Sequence, residues 1–375
     1  MILVREDGGG GLGSAATKLI RVVAADDSAL VRGVLAQLFA SQDVSSRGGG
    51  SRVELCAVAE DGATCVRVVR AMRPDVVVLD LEMPGLSGLD TIAQLRAEWP
   101  SLPIIMFSAY TARGAATTME ALARGATDYV TKPRAQRDAA AAIATLRGDL
   151  LPKIVALAVR RHTRAAPVAK VSAAKATALG SGQARVVGIG ASTGGPAALE
   201  KVLAELPGDF AAPIVIVQHM PKLFTNALAE RLNECCALEV RLAEERAEVL
   251  PGTVWLAPGD RHMEVFADGA GVRRLTLKDG PPVQHCRPAV DPMLTSLARC
   301  YGADALGVVM TGMGSDGLEG ARAIVAAGGK VLAQDEASSA VWGMPGRVAT
   351  EGVACAVVPL ASLANEMVAR TGRRV

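Results

Sequence analysis

The sequence predicts an α/β protein made of two doubly wound parallel-sheet domains. Three observations lead there. Short apolar runs alternate with amphipathic helical stretches from residue 19 to about 146, and the same alternation resumes at 184. Between the two series lies a tract rich in Ala, Lys, Arg, Ser and Pro that has no such rhythm. A chain of 375 residues, half of them apolar, suits two cores at roughly 150 residues per domain.

The elements of the first series follow in order. LIRVVAA reads as a buried strand and SALVRGVLAQLFA as an amphipathic helix, followed by a long polar loop over residues 41–52. VELCAVAED, a helix over Gly62–Met72, DVVVLD and a helix over 88–99 come next. PIIMFSA, a helix ending at Arg124, TDYVTKP and a helix over 136–146 complete five βα repeats, a five-stranded flavodoxin-like sheet. Residues 1–16 are glycine-rich with little to bury and read as a disordered leader.

The first domain is therefore expected over 17–148, a linker over 149–183 and the second domain over 184–372. Pro152 and Pro167 should interrupt any long helix in the linker, whose first part can still be helical. His162 falls within its basic RRHTR tract and reads as solvated. The second series opens with ARVVGIG, a helix from Pro196, APIVIVQHM and a helix over 224–233. Shorter β-like pieces run through Leu277, then a helix over 292–301, ALGVVMTG, a helix from Leu318 and KVLAQ. This is a Rossmann-like α/β domain with a β-rich insertion in its middle.

Composition narrows the function. A net charge of +2 without a basic block, and 3% aromatic residues, argue against nucleic acid as the main ligand. No apolar stretch reaches the ~20 residues of a membrane span, and the N-terminus has no secretory pattern. Seven cysteines without a CxxC suit a reducing compartment, and Cys235-Cys236 read as packed free thiols. A cytoplasmic protein without direct membrane insertion is expected.

In the first domain, Asp26-Asp27, Asp80, Ser108 and Lys132-Pro133 each close a predicted strand. In an open parallel sheet those carboxyl ends converge on one crevice. Three acids together call for a cation with a preference for hard oxygen ligands, such as Mg²⁺. The lysine and hydroxyl suit an incoming phosphoryl group. Any single strand-end acid could instead cap a helix, as Asp27-Ser28 could for the first one.

With LDLEMPG around Asp80, this set resembles the receiver domain of two-component response regulators over about residues 18–138. The resemblance implies that Asp80 accepts the phosphoryl group and that Asp26 and Asp27 hold Mg²⁺ with the Glu82 backbone carbonyl. It implies phosphoryl contacts from Ser108 and Lys132, and an aromatic switch at Tyr129. Ser87 stands where many receivers carry Asp.

In the second domain Gly190-Ala191-Ser192-Thr193-Gly194 fits G-x-S-x-G at a strand-to-helix turn. The glycines allow the sharp turn, and the helix N-terminus offers free N–H groups to a developing oxyanion. The same glycines could cradle a dinucleotide pyrophosphate, but that site wants an acid at the end of the next strand. That strand ends in Gln218-His219, which favours a hydrolase. Neighbouring parallel strands would put Ser192 and His219 side by side, with His219 as general base. Asp316, after ALGVVMTGMGS, can orient the imidazole. His262 and His285 follow no obvious central strand and rank below His219, although His262 could still line the cleft.

GASTGGP, QHMP, WLAPGDRHMEV, RPAVDPMLTSLA, TGMGSDG and QDEASSAVWGMP closely resemble the catalytic domain of the CheB protein-glutamate methylesterases, over 186–358. The resemblance implies Ser192 as nucleophile, His219 as base, Asp316 as orienting acid, and Thr193 and the Met313 backbone N–H near the oxyanion. It implies hydrolysis of glutamate γ-methyl esters on methyl-accepting chemotaxis receptors, with deamidation of receptor glutamines. A CheA-type histidine kinase would be the phosphodonor; the esterase reaction itself would need no cofactor. A receiver ahead of a hydrolase is suited to covering its active-site crevice until phosphorylated. Two other functions fit the residues: a serine hydrolase for another ester or amide, and a regulator whose second domain only binds.

Overall fold

The computed structural model describes residues 18–40, 51–133, 139–163 and 183–374. The leader, the 41–50 segment, residues 164–182 of the expected linker and the His162 side chain lie outside the described residues.

The first sheet contains β1 (Lys18–Ala25), β2 (Ser51–Ala59), β3 (Val76–Asp80), β4 (Ile104–Ser108) and β5 (Asp128–Thr131). All pairings are parallel, in the order β2-β1-β3-β4-β5. The helices α1 (Ala29–Ala40), α2 (Gly62–Met72), α3 (Gly88–Glu98) and α4 (Ala112–Ala123) alternate with them. β3 and β4 are buried throughout, which is why their sequences are unbroken apolar runs rather than alternating ones. Ser87 caps α3, accepting the Asp90 N–H at 3.2 Å, as an aspartate there could also do.

The sequence expectation fails at α5 (Ala139–Thr163), which runs 25 residues straight through Pro152. The expected 148/149 boundary falls inside it. Proline removes one helical hydrogen bond, but Leu146, Leu150, Leu151, Ile154, Leu157 and Ala158 are all buried on either side. Apolar burial on both flanks offsets the lost bond at about 25 cal/mol per Å². The far end of α5 shares a core cluster with Ala340, Val341 and Met313 of the second sheet's loops.

The second sheet has seven parallel strands in the order β14-β13-β12-β6-β7-β9-β8. They are β6 (Val186–Ala191), β7 (Ile214–Gln218), β8 (Glu239–Leu242), β9 (Thr253–Leu256), β12 (Ala305–Val309), β13 (Lys330–Gln334) and β14 (Ala356–Val358). Around it pack α6 (Gly195–Ala204), α7 (Lys222–Cys235), α8 (Val290–Tyr301), α9 (Leu318–Ala326), α10 (Met344–Thr350) and α11 (Leu360–Thr371). The β-rich insertion is smaller than the sequence suggests. β8 and β9 extend the main sheet, and only β10 (His262–Ala267) and β11 (Arg273–Lys278) form a separate antiparallel hairpin.

The two sheets meet through α4, which packs on α6 and α7. Tyr129 of β5 stacks on Phe224 of α7, and Arg160 Nη2 donates to the Ala337 carbonyl at 2.8 Å. No helix among the described residues is long and apolar enough to cross a membrane.

Candidate functional sites

The carboxyl ends of β1 and β3 bring Asp26, Asp27 and Asp80 together, with oxygens of all three within 4.8 Å of one another. Asp26 and Asp80 are buried and Asp27 is exposed. Lys132 bridges the buried pair, 2.8 Å from Asp26 Oδ2 and 2.6 Å from Asp80 Oδ2. Burial pushes the Asp80 carboxyl up, against the pull of Lys132. Burial lowers the Lys132 ammonium, but the two carboxylates outweigh it and its pKa is raised. Three carboxylates against one ammonium leave excess negative charge, and an all-oxygen donor set fits a hard divalent cation. Ser108 ends the neighbouring strand β4, its buried hydroxyl 2.7 Å from Thr118 Oγ1 of α4. Tyr129 is buried at the interface between the sheets rather than in this crevice.

The second site forms where β6, β7 and β12 end side by side. After β6 the chain turns through Ser192, Thr193 and Gly194, whose φ of +74° would strain any residue with a Cβ. The Ser192 N–H donates to the Thr311 carbonyl at 2.9 Å, tying the turn to the end of β12. Gly312 lets the next turn approach closely: a Cβ there would lie 2.7 Å from Ser192 Cβ. That turn carries Met313 and Asp316. The Thr311 hydroxyl donates to the Thr193 carbonyl at 2.8 Å, fixing the other side of the Ser192 turn.

His219 follows β7, its N–H donating to the Ala191 carbonyl at 3.1 Å. Its Nε2 lies 2.7 Å from Asp316 Oδ2, and its Nδ1 lies 3.4 Å from Cys286 Sγ. The expected neighbourhood of Ser192 and His219 is present in the strand order, but neither ring nitrogen is hydrogen-bonded to the serine. Burial works against the imidazolium, yet the Asp316 and Cys286 contacts outweigh it and push the His219 pKa up to about 9. Burial raises the Asp316 carboxyl, but His219 and the Val290 and Asp291 N–H groups more than compensate, so its pKa is lowered.

A crevice of about 300 Å³ leads to His219, walled by Tyr129 and Lys153 on one side and by Asp260, His285, Cys286 and Arg287 on the other. His262 does not line it. The His262 Nδ1 accepts the Ala289 N–H at 3.2 Å and Nε2 faces the Pro281 carbonyl at 3.0 Å, so both nitrogens are spent on loop structure. Sequence reasoning missed three residues here. The Gln218 amide donates to the Ser192 carbonyl at 2.9 Å, Cys286 faces His219, and Asp291 braces the Asp316 turn. Of these, Gln218 was visible as a polar strand end without an assigned role, and Asp291 left the signal of an acid in the first turn of a helix in RPAVDPM.

A family model described as CheB methylesterase matches residues 187–367, and one described as response regulator receiver domain matches residues 22–144. The protein-glutamate methylesterase/protein-glutamine glutaminase of Trichodesmium erythraeum (strain IMS101) is 41% identical over 357 residues, covering 94% of this chain and 99% of that protein. A protein of the same description from Nocardioides sp. (strain ATCC BAA-499 / JS614) is 42% identical over 363 residues, covering 95% of this chain and 96% of its own. Among solved structures, the Thermotoga maritima CheB methylesterase catalytic domain is 41% identical, with a TM-score of 0.49, over 51% of this chain and 99% of that one.

Proposed function

Because the chain belongs to the CheB methylesterase family, with a response-regulator receiver domain ahead of the methylesterase domain, we propose that it is a phosphorylation-activated serine esterase of receptor adaptation. It is a protein-glutamate methylesterase and protein-glutamine glutaminase. Its substrates would be γ-methyl-esterified glutamates, and glutamines, on methyl-accepting chemotaxis receptors, reached from the cytoplasm. A CheA-type histidine kinase would supply the phosphoryl group. The division into a receiver, a connecting segment and an esterase unit from about 184 belongs to the same reading.

The observation that carries the mechanism is the 2.7 Å contact between His219 Nε2 and Asp316 Oδ2, beside the Ser192 turn. With Nε2 committed to Asp316, Nδ1 is the nitrogen that takes the Ser192 proton, exchanging its 3.4 Å contact with the Cys286 thiol for the serine hydroxyl. Ser192 Oγ attacks the ester carbonyl as Nδ1 accepts that proton, and the oxyanion develops toward the Thr193 and Met313 side of the turn. Return of the proton releases methanol, or ammonia from glutamine. Water, activated by the same nitrogen, then frees glutamate and Ser192.

In the receiver, Asp80 is the phosphoryl acceptor, with Asp26, Asp27 and the Glu82 carbonyl as the candidate metal ligands. Mg²⁺ held there would neutralise the charge of the phosphoryl oxygens. Lys132, already on Asp80, would move to the phosphoryl group, with Ser108 completing its contacts. Tyr129 and the nearby end of β5 pack on α7 and line the His219 crevice, so the docked receiver narrows access for a receptor helix. A phosphoryl-stabilised receiver that packs there less well would open the site. The test is methanol release from methylated receptor membranes by the full chain, with and without a small-molecule phosphodonor. No release under either condition would reject the esterase reading.

A further inference from the structure

Helices α8 and α9 both start without a capping side chain of their own, after Ala289 and Gly317. Each is capped by an acid belonging to the other. Asp316 accepts the Val290 N–H at 2.7 Å and the Asp291 N–H at 2.9 Å. In return Asp291 Oδ1 accepts the Gly317 and Gly320 N–H groups at 2.9 and 2.8 Å. Each buried carboxylate thus sits where free backbone donors and the helix dipole favour negative charge.

The second oxygen of Asp291 accepts Gln284 Nε2 at 2.9 Å, and Gln284 Oε1 accepts the Ser315 hydroxyl at 2.7 Å. Gln284 and His285 are both left-handed, with φ of +48° and +67°. Side-chain-bearing residues hold that conformation in succession only when their surroundings constrain them. The next residue is Cys286, whose thiol meets His219 Nδ1.

We propose that Asp291 is a positioning residue for the esterase reaction, a carboxylate that fixes both neighbours of the His219 imidazole. Through Gly317 and Gly320 it holds the turn that aims Asp316 at Nε2. Through Gln284 it holds the strained loop that presents Cys286 to Nδ1. Its effect reaches the reacting atoms only through these groups. The proposal rests on the Ser192–His219–Asp316 reading and deepens it.

A helix cap alone would support stability without tuning the base. The two roles separate in the pH profile of phosphodonor-treated full chain acting on methylated receptor membranes. Asp291→Ala should lower kcat about 100-fold, the cost of a misplaced catalytic group, with little change in KM. The acid limb of its kcat/KM profile should move to lower pH, because an imidazole that loses its carboxylate contact holds its proton less tightly. Asp291→Asn keeps an acceptor for both glycine N–H groups and should restore most of the rate.

Gln284→Ala lies outside any helix and should shift both quantities in the same direction by less, so it decides the matter if Asp291→Ala does not fold. A wild-type kcat, or a loss with an unmoved acid limb, in the variant that folds would overturn the proposal. Ser192→Ala in the same assay separates the two levels. If it stays active, the triad reading itself falls. If it is inactive while the Asp291 and Gln284 variants match wild type, only the positioning role falls.

Discussion

Tyr129, the buried aromatic residue of the receiver's β5, stacks on Phe224 of the esterase helix α7 with ring centroids 4.4 Å apart and planes 18° from parallel. Tyr110, at the end of the adjacent β4 loop, reaches the same ring at 6.1 Å. One phenylalanine of the esterase domain therefore contacts two aromatic residues of the receiver domain. A rotation of Tyr129 would be felt directly in the crevice whose wall it shares with His219.

Phe224→Leu tests that coupling, since leucine fills much of the space without the stack. Losing an aromatic pair worth about 0.5–1.5 kcal/mol should raise the unphosphorylated chain's rate roughly two- to tenfold. The stimulation by phosphodonor should shrink by the same factor. An unchanged basal rate on methylated receptor would mean that this stack does not restrain the enzyme.

Removing the proposed nucleophile should be decisive. Ser192→Ala is expected to lower methanol release by more than about 10⁴-fold with the circular dichroism spectrum retained, since loss of a catalytic serine costs many orders of magnitude. Activity within about tenfold of wild type would assign the chemistry elsewhere.

Asp80→Asn should abolish incorporation of label from acetyl phosphate in the presence of Mg²⁺. An amide is neither a nucleophile for phosphorus nor an anionic metal ligand. Labelled protein at the wild-type level would place the acceptor on another residue.

Asp316→Asn should act through His219. The wild-type imidazole, raised to about 9, is protonated at neutral pH in the docked form, so turnover should rise with pH toward that value. With the carboxylate gone, the acid limb should fall toward the ordinary histidine range near 6.5, while kcat drops by about 10⁴ as in other triads with a neutralised acid. The stability sign follows the same shift. A base whose folded pKa is raised stabilises the fold fully below about 6.5, and that contribution is lost as pH rises through about 9. Denaturant titrations at pH 6 and pH 9.5 should therefore differ less for Asp316→Asn than for wild type; equal differences would refute the linkage.

The order of strands and helices as far as KVLAQ, both sheets and the residues at their carboxyl edges were legible in the chain itself, whereas α10, β14 and α11 beyond it were not read. Buried parallel strands must be apolar runs, and a crevice at their ends must be built from the few polar residues that terminate them. Asp26, Asp80, Lys132, Ser192, His219 and Asp316 all announce themselves in that way. Tertiary structure alone decided the rest. Pro152 looks like a helix breaker, because its cost is local and visible while the burial that offsets it comes from distant residues. β8 and β9 are too short for their sequences to reveal which sheet they join. The partner of His219 Nδ1 depends on a loop 67 residues away, held by left-handed residues and by Asp291. Periodicity records which face of an element is buried, not which loop folds over it, so Cys286 and Gln284 became visible only once the chain had closed.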